Sequence, residues 1–268
     1  MRKSIISLIA WMSFCSAASV LAKTNIELFE MEPDIYDQPS LQAGAQLYFN
    51  YCLGCHSLKY ERYGRIAKDL GFDASSDLLE GFQQNLIFGG EKIGSRINIA
   101  MDSKDAKRWF GAMPPDLTNV ARVRSTDWLY TYLLTFYVDP SRPTGVSNKV
   151  FENAMPNVLQ ELQGDQTDCK LVPERNIDGG ELMADPLDRS KGRKMIKDCN
   201  LVSHVAGTGK LSPEKFQEAI YNLVNFLYYI GDPKRAERER LGGIVLGFLA
   251  FLFVPIYLLK REYWKGIH

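Results

Sequence analysis

Hydrophobic positions along this chain follow two patterns. Near both ends they form unbroken runs; between the ends they recur every three or four residues among polar neighbours. The interior pattern predicts helices. Ser40 is a capping residue for a helix carrying Leu41, Gly44, Ala45, Tyr48 and Phe49. Leu78, Leu79, Phe82, Leu86 and Ile87 keep the same spacing, and Gly89-Gly90 ends it. Ser125 caps a third helix, with Trp128, Leu129, Tyr132, Leu133 and Phe136 on one side. Ser212-Pro213 opens a fourth, because proline suits the first helical position. That helix runs through Phe216, Ile220, Leu223, Val224 and Leu227 to Gly231. Strand signals are few, no internal repeat is visible, and the connections are rich in Gly and Pro. The expected fold is mainly α with long loops. Such loops are uncommon in a compact domain, and a non-peptide group filling the core accounts for them.

The runs at the ends have different lengths and different meanings. Met1-Arg2-Lys3 precedes an apolar run from Ile5 to Phe14, then small residues to Ala22. This is the order of a secretory signal, and the run is too short to cross about 30 Å of hydrocarbon. Residues 1–22 therefore read as a removed signal, with the mature chain starting at Lys23. Leu241 to Leu259 is uncharged over 19 residues, which gives roughly 28 Å of helix and spans a bilayer. Arg240 precedes it, Lys260 and Arg261 follow it, and Tyr263 and Trp264 form an interfacial belt. A buried core helix is the alternative. Pro255, inside the run, is expected to kink it. Flanking charge leaves the orientation ambiguous. The signal decides it: 23–240 is exported and 260–268 stays inside.

Composition narrows the classes further. The chain has 268 residues, 46% hydrophobic and 24% charged, which excludes disordered and collagenous classes. Formal net charge is zero, so no basic excess points to nucleic acid. The signal carries +2 and the tail after Leu259 another +2, leaving about −4 on residues 23–240. That sign mildly suits a basic partner. Five cysteines in this length are too sparse for a small disulfide scaffold.

Two of those cysteines carry the chemistry. Cys52-Leu53-Gly54-Cys55-His56 is C-x-x-C-H, the attachment motif of c-type haem. Two thiols three positions apart each form a thioether to one vinyl group of the porphyrin, and the adjacent His56 reaches the iron from one side. A zinc site needs two further ligands at fixed spacing; Cys169 and Cys199 are 30 apart with no close histidine. The sixth iron ligand must come from elsewhere. His268 lies beyond the span, and His204 lies in a polar loop. Met113, in Gly111-Ala112-Met113-Pro114-Pro115, and Met155, in Asn153-Ala154-Met155-Pro156-Asn157, both sit in proline-stiffened loops. Spacing and composition leave these two methionines open, with core packing as the ordinary alternative for each.

From these residues the sequence resembles the cytochrome c1 family, the haem subunit of the ubiquinol:cytochrome c oxidoreductase (cytochrome bc1) complex. The matches run in order over roughly 40–160 and 211–265. They are the haem motif with its sequel through Lys59-Tyr60-Glu61-Arg62-Tyr63, the loop Gly111 to Leu117 matching G-A-x-P-P-D-L, the segment Asp139-Pro140 through Gly145-Val146, and the C-terminal apolar helix. The resemblance implies Met155 as the axial ligand, because the family's methionine lies in the loop matching 153–156. It implies that Arg124 pairs with a haem propionate and that Pro114 and Pro115 wall the haem edge. It also implies the architecture: a c-type cytochrome domain with one transmembrane helix and one covalent haem c.

Residues 161–210 depart from the family pattern and read as an inserted loop. Residues 161–188 hold eight acidic and two basic residues, and 189–197 hold five basic ones. Cys169 and Cys199 lie inside it. In an oxidising compartment they are expected to join, which stabilises by about 3–4 kcal/mol on a chain-entropy estimate. The insertion reads as a docking surface or, more simply, a stapled solvated loop. The resulting expectation is an electron relay in a bacterial inner membrane, with its haem domain in the periplasm. It takes single electrons from the Rieske iron–sulfur protein and passes them to a soluble c-type cytochrome, beside cytochrome b and membrane lipid. Another anchored cytochrome, or a haem enzyme with five-coordinate iron, are the rival readings.

Overall fold

The computed structural model describes residues 26–99, 101–152, 155–169 and 201–266. The expected signal at 1–22, Asn153-Ala154, Cys199, residues 170–200 of the insertion and His268 lie outside them.

Helix α1 spans Gln38–Leu47. Its cap is Asp37, whose carboxylate accepts the Ser40 N–H at 3.1 Å. This corrects the expected Ser40 cap. Pro39 has no N–H to donate, so it fits the first turn, and the cap moves two positions before it. Ser40 then lies inside the helix, where its hydroxyl accepts from Asn225 Nδ2 at 3.0 Å. A single π turn, Tyr48–Cys52, carries α1 into the haem motif. Strand β1 (Leu58–Arg62) pairs antiparallel with β2 (Arg96–Ile97). Between them lie α2 (Tyr63–Asp69) and α3 (Ser76–Leu86), the latter capped by Ser75. Next come α4 (Ser103–Phe110), α5 (Val120–Val123) and α6 (Thr126–Leu134). Ser125 caps α6 as expected, accepting the Trp128 N–H at 3.0 Å. The remaining strands are short antiparallel pairs: β3 (Phe136–Val138) with β4 (Val146–Asn148), and β5 (Gln166–Asp168) with β6 (Val202–His204). Helix α7 (Gln160–Gln163) precedes β5.

Helix α8 (Pro213–Gly231) is the pillar of the core, and it starts at the expected Ser212-Pro213. Phe216, Ile220, Leu223, Val224, Phe226 and Ile230 are buried on it. It crosses α1 at Gly44. A Cβ there would lie 2.0 Å from the Asn222 carbonyl oxygen and 2.7 Å from Phe226 Cβ. Glycine is costly inside a helix, and here the close backbone approach requires it. The N-terminal segment lies across α6 and α8. The Met31 N–H donates to Asp127 at 2.7 Å, and Tyr221 Oη donates to the Glu32 carbonyl at 3.2 Å.

Helix α9 (Arg235–Tyr263) runs unbroken through Pro255. The most apolar 18-residue window of its stretch Glu237–Tyr263 has a mean hydropathy of 2.4, and none of that window is buried against the described residues. The alternative of a buried core helix therefore does not hold. The candidate membrane helix is an exposed apolar rod.

Candidate functional site

The haem motif forms the turn that follows α1. The His56 and Cys55 N–H groups both donate to the Cys52 carbonyl, at 2.8 and 3.0 Å, so Cys52, Cys55 and His56 share one turn. Cys52 is buried beside Leu53, and Cys55 is half-buried. Burial, with a smaller contribution from Cys55, pushes the Cys52 thiol up to about 12. Burial also raises the Cys55 thiol. Tyr48 Oη donates to the His56 carbonyl at 2.5 Å and fixes the turn from within the core.

His56 has one ring nitrogen already assigned. Its Nδ1 lies 2.7 Å from the Pro115 carbonyl oxygen. A carbonyl only accepts, so Nδ1 carries the hydrogen and Nε2 keeps the lone pair that a metal takes. Burial lowers the His56 pKa, more than the Pro115 carbonyl and Asp116 raise it. The ring is therefore held as the neutral ligand form. Asp116 ties the Pro114-Pro115 loop to the motif's sequel. Its carboxylate accepts from Ser57 Oγ at 2.7 Å and from the Lys59 N–H at 2.8 Å. The Leu117 N–H returns a bond to the Ser57 carbonyl at 2.9 Å. Burial pushes the Asp116 carboxyl up, but the bonds from Lys59, Thr118 and Ser57 outweigh it and hold it below its ordinary value. Two thiols and an imidazole with a free Nε2, all on one turn, are the donor set a c-type haem takes, and these residues fit it.

Met155 and Arg124 form a second set. Tyr132 Oη donates to the Met155 sulfur at 3.2 Å. The Tyr132 ring stacks on Trp128 at 5.0 Å, with 9° between planes. The Arg124 guanidinium lies 4.7 Å over Trp128 and 5.8 Å from the Phe151 ring. Helix α6 joins the two sets. Leu129 and Leu134 belong to the main core with Cys52 and Leu53, while Tyr132 packs with Phe136, Val146 and Met155. Met113 is exposed in the same loop as Pro115. His204 sits in β6 opposite Gln166. Cys169 follows β5, and its N–H meets the Leu201 carbonyl at 3.5 Å.

Sequence reasoning missed Asp116, Trp128 and Tyr132 as parts of the site. Trp128 and Tyr132 stood on the expected inner face of α6, where aromatic side chains read as core. Asp116 stood inside a recognised loop, but its partners are 57 to 59 residues away.

The sequence model described as the Cytochrome C1 family matches residues 96–267. The cytochrome c1 of Allochromatium vinosum is 47% identical over 236 residues, covering 88% of this chain and 87% of that protein. A protein named ammonia monooxygenase gamma subunit from Nitrosomonas europaea is 37% identical, covering 91% and 90%. A chain of a solved hyperthermophilic respiratory complex III aligns over 99% of this chain and 98% of its own, at 15% identity and a TM-score of 0.44.

Proposed function

The chain belongs to the cytochrome c1 family, and from that membership we propose that Cys52 and Cys55 tether its haem while His56 and Met155 fill both axial positions. It is an electron-transfer subunit of the respiratory quinol:cytochrome c oxidoreductase, carries one covalent haem c, and is not an enzyme by itself. Its place in that complex puts it beside cytochrome b and the Rieske subunit. The haem, when bound, supplies a one-electron couple.

The chain's own residues have separate tasks. The Pro115 carbonyl orients His56 and keeps Nε2 basic, a role outer partners commonly have at metal sites. Asp116 holds the loop that brings Pro115 there. Arg124, above Trp128, neutralises propionate charge, and Pro114 with Pro115 shields the haem edge. The observation that carries the ligand assignment is the His56 to Pro115 bond. It sets the 113–115 loop on the Nδ1 side of the imidazole, opposite Nε2. The loop that carries Met113 thus meets His56 at Nδ1, which supports a sixth ligand from another segment. Methionine paired with histidine raises the potential relative to two histidines, which suits a donor to a soluble c-type cytochrome. Helix α9 anchors the chain in lipid, with the haem domain on the periplasmic side of a bacterial inner membrane. Cys169 and Cys199 form a disulfide, a pairing supported by the approach of residue 169 to 201 across the β5–β6 end.

The test is the weak sulfur-to-iron band in the near infrared of the oxidised protein. Met155→Leu is expected to abolish it and lower the potential, and Met113→Leu to keep it. The reverse result reassigns the ligand. The name of the Nitrosomonas relative raises a second reading, an oxygenase subunit, which needs an open iron position. A band in the wild type excludes that, because both axial sites are then filled.

A further inference from the structure

Tyr132 is buried, and its ring is fixed from several sides. Trp128 stacks on it one turn earlier, and Phe136, at the start of β3, meets it edge-on at 5.1 Å. Asn148 Nδ2 donates to the Tyr132 carbonyl at 2.7 Å, which ties this turn of α6 to β4. A fixed ring fixes its hydroxyl, and that hydroxyl donates to the Met155 sulfur. We propose that Tyr132 is a positioning residue for the sixth ligand: its hydroxyl holds the Met155 sulfur and draws electron density from it, raising the electron affinity of the site. The proposal rests on Met155 being that ligand.

The effect is electrostatic. A thioether sulfur has two lone pairs, one for a metal and one for the phenol O–H. Density drawn toward the hydroxyl is not available to the metal. An oxidised iron needs that density more than a reduced one, so the bond favours the reduced state. Hydrogen bonds to ligand atoms are a known lever on potential. Trp128 and Phe136 set the ring, and Tyr132 in turn sets the sulfur.

The experiment uses the full-length, haem-loaded protein at one pH. Wild type and Met155→Leu come first; a band in the former that is lost in the latter establishes the ligand. Tyr132→Phe then removes one oxygen atom and keeps the stack. It is expected to retain covalent haem and a shifted band. The equilibrium constant for one-electron reduction should fall about three- to tenfold, the usual worth of one hydrogen bond. An unchanged or increased constant overturns the proposal and leaves Met155 as ligand. Loss of the band at an unchanged melting temperature supports it, because the hydroxyl then holds the sulfur in place. If melting also falls, Trp128→Phe decides, since it disturbs the stack and spares the hydroxyl. Equal changes in the two variants make Tyr132 a packing residue and overturn the proposal; a larger change in Tyr132→Phe supports it. Absence of the band from the wild type fails the ligand reading, and the proposal fails with it.

Discussion

Gly44 shows how much one residue can decide. Its hydrogen faces the Asn222 carbonyl where α1 and α8 cross. Alanine is the better helix former by about 1 kcal/mol, so an isolated α1 gains from Gly44→Ala. The folded domain loses, because a methyl group 2.0 Å from a backbone oxygen forces the helices apart. We expect Gly44→Ala to cost about 2–3 kcal/mol of stability and to lower haem loading, since α1 leads directly into the haem motif. An unchanged melting temperature would show that the crossing is not tight. Residue chemistry of this kind was half legible beforehand. The motif announces Cys52, Cys55 and His56 because their spacing is local. Nothing local announces that Pro115 accepts from His56, 59 residues away, or that Tyr132 meets Met155, 23 residues away. Those pairs exist only once loops and α6 are folded together.

Elements were more legible than contacts. The starts of α6 and α8 follow from Ser125 and Ser212, whose hydroxyls accept from N–H groups three positions on; Ser75, which is not among the expected caps, does the same for α3. The start of α1 was misplaced because Pro39 outranks a serine in setting the first turn. The three strand pairs left little trace: five of the six strands have only two or three residues, too few for an alternating pattern to show, and β1 buries Leu58 and Glu61 without alternating. The junction between α8 and α9 is a further element-scale feature. Asp232 accepts from Arg238 at 2.7 Å, and Arg122, in the α5 helix that leads to Arg124, lies 3.5 Å away. The Arg238 bond holds the Asp232 carboxyl below its usual range, against the opposing effect of burial. A depressed folded pKa stabilises above the unfolded value near about 4, and that stability is lost as pH falls through the folded value. The melting advantage of wild type over Asp232→Asn should therefore be constant from about pH 5 to 7 and shrink in acid below about 4. An advantage that ignores pH would mean that the ion pairs contribute nothing.

For the whole molecule, haem motif, Met155 and α8 all precede α9, and the most apolar window of α9 is not buried against the described residues of the domain. Truncation after Arg240 should release a soluble, haem-loaded domain that accepts electrons from a soluble reductant. It should fail to assemble with the quinol-oxidising subunits. Fractionation and visible spectra check this; a truncated protein still in the membrane means that the N-terminal segment is an anchor and not a cleaved signal. Non-reducing peptide mapping of the same domain should recover Cys169 linked to Cys199, and two free thiols there would remove the disulfide.

The α1–α8 crossing also sets an order of events. Ser40 and Asn225, which bond across it, are 185 residues apart. A chain that leaves the membrane N-terminus first delivers both haem cysteines early and α8 late. Until α8 arrives, the face of α1 that it covers has no partner, and the thiols stand open to whatever attaches the porphyrin. In the folded domain Cys52 is enclosed, and burial holds its thiol far from the reactive thiolate. If the haem is attached during such an exit, transit of the intervening residues would act as a timer: it would give attachment an interval, and closure of the core would end it.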